Sequence, residues 1–419
     1  MSAALVVAGV RARRRRLRFA SFTLALGVLV PALLIGGRGT EVATFVLNDA
    51  RGERFALPDL QVSVATAVLM LAAGIVALGV LQFARDLGTR APLAVGTGGA
   101  LAVAALLVWA GAGESVSLVA LLRGALFASV PIAFGAMAGV LSERAGVINI
   151  AIEGQFLAAA FTAAVVASIV GSAWAGLLGG VGAGALIGVM LAGLSIRFRA
   201  DQIVSGVVLI VLATGVTSFM TSQVLAANTS LNSPVRFTAT AVPLLSDLPF
   251  LGSVIFRQTL LVYLMFATVI VLQFALFRTR WGLRLRSVGE HPAAADTVGI
   301  DVHRTRFRAV VLAGVLAGVG GSWFTLEAAS QFSKEMSGGR GFIALAAMLV
   351  GRYSPVGALA AALLFGFSDA LATALQRLPV PLPSTLLRAT PYVITLVVVA
   401  GLVGRLRVPA ADGKPYVKQ

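Results

Sequence analysis

Residues 281–308 read WGLRLRSVGEHPAAADTVGIDVHRTRFR, and they separate two apolar runs at 260–277 and 309–326. Each run is long enough to cross a bilayer as a helix, because a helix rises about 1.5 Å per residue. A basic stretch of this length between two spans is expected at the membrane surface, so the surrounding fold is predicted to be a helical membrane domain.

The same stretch contains its own helix signals. His291 and Pro292 suit an N-cap and a first helical residue, three alanines follow, and Gly299 suits a helix end. Residues 278–308 also hold seven arginines. We interpret this element as a short cytoplasmic helix that transmits force from a soluble partner; a solvated basic loop is the alternative.

Composition predicts an all-α polytopic membrane protein. Mean hydropathy is +0.95, and 58% of the residues are hydrophobic while 12% are charged. A soluble protein of this size would need more surface charge. The apolar runs are continuous rather than alternating, which excludes a membrane barrel. The formal net charge of +16 does not indicate a nucleic-acid partner, because the basic residues are not gathered on one face.

The placement of lysine and arginine predicts the topology. The loops assigned to the cytoplasm hold 22 of the 33 basic residues, and the opposite loops hold 7. This excess puts both termini in the cytoplasm, which requires an even number of crossings. The N-terminal RARRRRLRF and the apolar run after it are interpreted as a retained signal anchor. The cytoplasmic loops are 11–18, 85–90, 142–145, 197–202, 278–308 and 404–419, and the opposite loops are 37–61, 226–257 and 329–340.

About ten crossings are predicted, together with one broken or re-entrant hairpin; twelve crossings also satisfy the parity. The hairpin occupies 341–375, because the run GRYSP at 351–355 would otherwise place an arginine and a proline in hydrocarbon. The predicted crossings are 19–36, 62–83, 91–112, 116–140, 146–170, 175–196, 203–225, 258–277, 309–328 and 385–403.

Missing residue types exclude several kinds of site. The chain has no cysteine, which excludes disulfides and thiolate metal sites. Its two histidines, His291 and His303, both lie in the cytoplasmic stretch, so no metal site is expected in the membrane. None of the three lysines stands in a GxxxxGK[ST] context. We therefore expect no cofactor on this chain, which cannot bind and hydrolyse ATP by that device alone. If it is energised by nucleotide, a separate ATPase subunit must bind the ATP.

A second group of residues is SERAGVINIAIEGQ at 142–155. Helix propensity is poor there, and valine and isoleucine alternate at strand-like spacing. Non-regular backbone entering a membrane is tolerated where it is buried in protein or lines a cavity. Asn149, Glu153 and Gln155 are therefore predicted to line a substrate path. A structural Glu153, paired with an arginine or capping backbone amides, is equally open.

A third group is QFSKEMSGGRGF at 331–342. Its glycines leave the backbone free to turn, and Arg340 and Phe342 stand at the mouth of the predicted hairpin. We interpret the group as a gate element on the substrate path, with a glycine-rich surface turn as the alternative. Gln273 and Asp369 are interpreted as interhelical hydrogen-bond partners.

Three stretches resemble the integral-membrane permeases of the ATP-binding-cassette importers for ribose, branched-chain amino acids and nucleosides. These are ERAGVINIAIEG at 143–154, GLRLRSVGEHPAAADTVGI at 282–300, and GGRGFIALAAMLVGRYSPVGA at 338–358 followed by LLFGFSDAL. The resemblance covers roughly residues 115–405, and it is strongest to the nucleoside branch that works with a basic-membrane-protein-type binding lipoprotein.

The resemblance implies an importer permease with a core at 113–405, a coupling loop at 278–308, a cytoplasmic tail at 406–419, and additional spans at 1–112. It implies a bacterial cell-membrane location, an ATPase subunit, a second permease subunit in a heterodimer, and an extracytoplasmic substrate-binding lipoprotein, besides the membrane lipid. The residues expected to contact the ATPase are Gly289, Glu290, Ala293, Ala294, Ala295, Asp296, Gly299 and Ile300.

The resemblance implies a nucleoside as cargo. Nucleosides suit such a path, since a neutral hydrogen-bonding ring can pass apolar walls with a few polar contacts. Simple sugars and branched-chain amino acids remain alternatives. An ion-coupled secondary transporter would need more ionisable residues in its spans. A membrane enzyme would need a catalytic cluster at the surface, and the sequence has no paired carboxylates or clustered histidines to supply it.

Overall fold

The computed structural model describes residues 3–34, 38–48, 57–85, 87–88, 91–379 and 408–418. Within these ranges, ten helices are long and apolar enough to cross a membrane. The strands of the described part form two small sheets. The all-α polytopic membrane fold predicted from composition is therefore confirmed.

The described part of the chain is mostly helix, with a few short strands between the helices. The helices are α1 (Ala3–Leu34), α2 (Val64–Ala84), α3 (Ala91–Ala110), α4 (Leu118–Glu143), α5 (Ile152–Val170), α6 (Ala173–Ala192), α7 (Gln202–Met220), α8 (Leu251–Ile255), α9 (Leu260–Arg278), α10 (Arg280–Glu290), α11 (Pro292–Thr297), α12 (Val302–Trp323), α13 (Arg340–Val350) and α14 (Pro355–Arg377). The strands are β1 (Val42–Val46), β2 (Leu60–Ser63), β3 (Ser115–Ser117), β4 (Thr240–Ala241) and β5 (Arg257–Gln258). Single π-helical turns extend α6, α7 and α12 at Gly193–Arg197, Thr221–Leu225 and Phe324–Ala328.

Contacts divide the chain into two compact units. The first comprises the described residues of Met1–Leu122, Asp247–Val254 and Leu371–Gly404. In it α1 packs against α2 and α3, and the Thr23 hydroxyl donates to Gln82 Oε1 at 3.2 Å in the buried interface. Strand β1 pairs antiparallel with β2 and parallel with β3. The predicted boundary between additional spans at 1–112 and a core at 113–405 stays a prediction.

The second unit comprises Arg123–Ser246, Ile255–Ala370 and the described residues of Arg405–Gln419. Its centre is the contact of α12 with α5 and α6. Backbones approach closely there, because a Cβ at Gly184 of α6 would lie 2.6 Å from the Cα of Gly318 on α12. The small-residue spacing on α12 is thus used for helix packing, as such spacings are in other membrane bundles.

The predicted broken hairpin is confirmed in its position and differs in its second half. α13 has eleven residues and ends at a turn formed by 351–354, where Arg352 and Tyr353 both have positive φ, at 53° and 56°. α14 then has 23 residues, enough to cross a membrane alone. Counting α14 brings the described spans to ten, while the predicted crossing at 385–403 lies outside the described residues.

Three boundaries also differ from those expected. α5 begins at Ile152, whereas the predicted crossing begins at 146, because residues 144–151 form turns and irregular backbone. α12 begins at Val302, seven residues before the predicted crossing, since the Asp301 carboxylate caps it by accepting from the backbone N–H of Arg304 at 2.9 Å. α10 is a helix where the sequence predicts a basic loop.

Candidate functional site

The predicted cytoplasmic stretch folds as two consecutive short helices, α10 and α11. The Thr279 hydroxyl begins α10 by accepting from the backbone N–H of Gly282 at 3.2 Å. His291 ends α10 and is the N-cap residue of α11, Pro292 is the first residue of α11, and Gly299 follows its end with φ of +84°. The helix predicted from these residues is confirmed.

α11 presents small and apolar residues on its outer face. Ala293 and Ala294 are exposed, and Val298 is 75% exposed. A cleft of about 890 Å³ lies beside them, between α10, α11 and the start of α12. Ala295 points inward and is buried in a small apolar cluster, against which Ile300 packs. The outer face is therefore open to a partner, while its inner face is anchored.

The remaining predicted coupling residues contact other parts of the chain. A Cβ at Gly289 would overlap the carbonyl oxygen of Arg144, so the end of α10 lies directly on the segment formed by residues 142–153. Glu290 and Asp296 both hydrogen-bond residues of the C-terminal segment, which we define as residues 408–418. The sequence predicts this segment only as a cytoplasmic tail.

Residues 144–151 of the 142–153 segment are irregular, as predicted, and the segment is held from several sides. Arg144 Nε donates to the carbonyl oxygen of Tyr353, in the turn between α13 and α14, at 3.0 Å. The backbone N–H of Ile148 donates to Gln202 Oε1 of α7 at 2.8 Å. The segment thus joins α4 to α5 in the chain and also contacts α7, α10 and the turn before α14.

Glu153 is bound to the beginning of α13. Its Oε1 accepts from the Ser337 hydroxyl at 2.6 Å and from the backbone N–H of Gly339 at 2.8 Å, and its Oε2 accepts from the backbone N–H of Gly341 at 2.6 Å. The first N–H groups of a helix have no partner within it, and a carboxylate there is favoured by the helix dipole. Glu153 therefore caps α13 from another helix, one of the two roles left open by the sequence.

The second and third groups predicted from the sequence thus form one site. A Cβ at Gly341 would lie 2.6 Å from the backbone nitrogen of Glu153, so the approach of α13 to α5 requires glycine. Arg340 pairs with Asp369 of α14 at 2.9 Å, and its guanidinium lies 5.9 Å from the ring centroid of Phe324. Phe342 is 50% exposed. The sequence does not predict the part played by Ser337, which looks like an ordinary loop residue.

Asn149 and Gln155 form a buried amide pair next to this site. Both are fully buried, and Asn149 Nδ2 donates to Gln155 Oε1 at 3.3 Å. Among the described residues, Asn149 Oδ1 and Gln155 Nε2 have no hydrogen-bond partner. A buried polar atom without a partner is costly, and such atoms in a membrane protein are candidates for contact with a polar solute.

A second carboxylate, Glu327, repeats the arrangement of Glu153 and is not among the predicted site residues. It lies in the π-helical turn that extends α12, is 8% exposed, and accepts from the Thr259 hydroxyl at 2.7 Å and the backbone N–H of Leu261 at 3.0 Å. It therefore caps the beginning of α9. Its position at the end of an apolar span is the signal that could have identified it.

The C-terminal segment brings a further carboxylate to the 142–153 segment. Asp412 forms a hydrogen-bonded pair with Glu143, which also receives a hydrogen bond from the Tyr353 hydroxyl. Burial raises the pKa of Asp412 to about 6, and burial followed by the nearby Glu143 charge raises the pKa of the Tyr353 hydroxyl. Because the pKa of Asp412 is raised in the docked segment, protonation of Asp412 stabilises docking as the pH falls through about 6.

The chain matches one protein family and is similar to several known permease proteins. The family model for the permease component of branched-chain amino acid transport systems matches residues 121–400. The chain is 38% identical to the guanosine ABC transporter permease protein NupQ of Bacillus subtilis, over 69% of this chain and 94% of that protein. It is 40% identical to the nucleoside ABC transporter permease protein NupC of Lactococcus lactis, over 70% and 95%.

A third relative carries a different cargo in its name. The putative glucose ABC transporter permease protein TsgC13 of Haloferax volcanii is 32% identical, over 71% of this chain and 98% of that protein. No solved structure matches the chain.

Proposed function

The chain belongs to the permease family of branched-chain amino acid transport systems, and from that premise we propose that it forms the path for nucleosides through an ATP-binding-cassette importer. The observation that supports a nucleoside as the cargo is the identity of 38% and 40% to relatives named for guanosine and nucleosides, over nearly their whole lengths. A simple sugar is the second candidate, because a relative named for glucose is 32% identical.

An importer permease works with an ATPase and with a substrate-binding partner. The proposed assembly pairs this chain with a second, different permease subunit and receives its cargo from an extracytoplasmic lipoprotein. It lies in the bacterial cell membrane with both termini in the cytoplasm, and the ATPase subunit binds the ATP, so that this chain needs no cofactor. The excess of basic residues in the loops assigned to the cytoplasm supports that orientation.

The proposed mechanism begins at α11, whose exposed face docks on the ATPase. Movement of α11 displaces the end of α10, where Gly289 lies on Arg144. The 142–153 segment moves with it, and Glu153 carries the movement to the start of α13. The substrate path then opens and closes in turn, as these elements shift as rigid bodies between two arrangements. In this scheme Asn149 and Gln155 contact the cargo, Arg340 and Phe342 flank its path, and Glu153 positions the gate.

Asn149→Leu is expected to lower guanosine uptake about fivefold, because the cargo would lose one hydrogen-bonding group in a buried site. The measurement uses proteoliposomes that contain the full transporter with its ATPase and binding protein. Labelled guanosine is the substrate, and other unlabelled nucleosides, glucose and leucine are the competitors. ATP hydrolysis without cargo should stay near the level of the unchanged protein.

Asn228→Leu is the matched control, since the same change is made at an exposed position. Full guanosine uptake by the Asn149→Leu protein would mean that Asn149 does not contact the cargo. Competition by glucose or leucine, but not by other nucleosides, would contradict the proposed cargo and favour the alternative.

Reporter fusions should locate the loops on the proposed sides of the membrane. A reporter that is active only in the cytoplasm should be active when fused after Arg286, and one that is active only outside should be active when fused after Thr229 or Ser333. External activity of the fusion after Arg286 would overturn both the topology and the proposed contact of α11 with the ATPase.

A further inference from the structure

The C-terminal segment contacts α10 and α11 at the proposed ATPase-coupling surface. The backbone N–H of Ala411 donates to the carbonyl oxygen of Gly289 at 2.9 Å. The Tyr416 hydroxyl donates to Asp296 Oδ2 at 3.0 Å, and Lys418 Nζ lies 3.4 Å from Asp296 Oδ1. The aromatic ring of Tyr416 also packs against the apolar cluster that buries Ala295. The inner side of α11 is therefore fixed to this segment.

The same segment is anchored on α12. Arg306 is 2% exposed, and its guanidinium donates to the carbonyl oxygens of Lys414 at 2.8 Å and Ala411 at 3.4 Å. A buried guanidinium with two backbone acceptors is a strong attachment, because removing the acceptors would leave the charge unpaired. The segment is thus held at a fixed place between α11 and α12.

It also touches the 142–153 segment directly. Asp412 is hydrogen-bonded to Glu143. A Cβ at Gly413 would lie 2.8 Å from Ile148 Cδ1, and one at Gly146 would lie 3.1 Å from the carbonyl oxygen of Ala411. Residues 408–418 therefore connect α11 with the backbone that leads to Glu153.

We propose that the C-terminal segment is a positioning element of the transport cycle, which carries movement of α11 to the 142–153 segment and so to the start of α13. Coupling between distant sites travels through packed and hydrogen-bonded elements of this kind. The match to the family model ends at residue 400, so the segment lies beyond the part of the chain that the family description covers. The proposal rests on the proposed function.

The test removes the two side chains that hold the C-terminal segment on α11, and it leaves the contacts of the segment with α12 and Glu143 in place. In the double variant Tyr416→Ala with Lys418→Ala, guanosine uptake by the full transporter should fall about tenfold, a typical size for one coupling interaction. Binding of the ATPase subunit and ATP hydrolysis without cargo should change by less than about twofold. The matched control is Val417→Ala, at the intervening residue, which is 52% exposed.

A second readout does not depend on the cargo. The chain has no cysteine, so Met336→Cys places one thiol on the loop before α13. Its rate of maleimide labelling should change when ATP and vanadate trap the ATPase, and the double variant should abolish that change. If the intact protein transports no nucleoside, the proposed cargo fails, while the labelling still decides the role of the segment.

Three outcomes would overturn the proposal. Uptake and labelling could equal those of the control, which would make the segment a passive tail. Uptake could rise, which would make it an inhibitory contact. The ATPase could dissociate from the double variant, which would make the segment part of the docking surface instead of a link behind it.

Discussion

Glu153→Gln is expected to reduce transport about a hundredfold and to lower the midpoint of thermal unfolding by about 5 °C. The Glu153 carboxylate accepts three hydrogen bonds, from Ser337, Gly339 and Gly341. A glutamine side chain keeps one oxygen and turns an NH₂ group toward an N–H donor. The change therefore removes charge-assisted bonds worth about 1.5–3 kcal/mol each and leaves a buried helix end without its cap.

The matched control is Glu335→Gln, because this glutamate lies on the same loop and is exposed. Uptake in proteoliposomes and thermal unfolding in detergent are measured on both proteins. Uptake and a thermal midpoint equal to those of the control would mean that the capping bonds do not matter to the transport cycle. Loss of uptake with an unchanged midpoint would instead assign Glu153 to direct contact with the cargo.

The general architecture of the chain follows from local sequence signals. Continuous apolar runs predict helical crossings, the cap residues around His291 and Gly299 predict α11, and an Arg and a Pro in one apolar run predict the break before α14. Each of these depends on residues close together in the chain. For that reason they could be predicted without knowing the tertiary fold.

The contacts that build the site depend on residues far apart. Glu153 and Ser337 are separated by 184 positions, and no local pattern indicates that a carboxylate on one helix caps another. The sequence therefore leaves open whether Glu153 is structural or faces the cargo, and the geometry supports the structural role. Glu327 escapes prediction for the same reason, since its partners Thr259 and Leu261 lie more than sixty positions earlier in the chain.

The position of the C-terminal segment could not be predicted either, because its contacts are also with residues far away in the chain. Its sequence, VPAADGKPYVK, contains two prolines and one glycine, residues that are typical of turns and irregular backbone. Its place is determined by long-range partners, among them the buried Arg306. An arginine near the start of a span predicts orientation from sequence, but not the backbone oxygens that receive its hydrogen bonds.

Gly289→Ala is expected to uncouple ATP hydrolysis from transport, with uptake about a hundredfold lower. A Cβ at this position would overlap the carbonyl oxygen of Arg144, so the end of α10 must move away from the 142–153 segment. Alanine favours helix over glycine by about 1 kcal/mol, so α10 itself should not be weakened. The loss would therefore come from the contact between α10 and this segment.

Gly215→Ala in α7 is the matched control, because a Cβ there meets no atom within 4 Å. It should leave uptake unchanged, while Gly289→Ala should retain the ATPase subunit and its hydrolysis without cargo. The informative quantity is the number of guanosine molecules transported per ATP hydrolysed. If Gly289→Ala transports as many guanosine molecules per ATP as the control protein, the contact between Gly289 and Arg144 does not transmit the movement of α11. In that case α11 must act on the path through another route, such as the C-terminal segment alone.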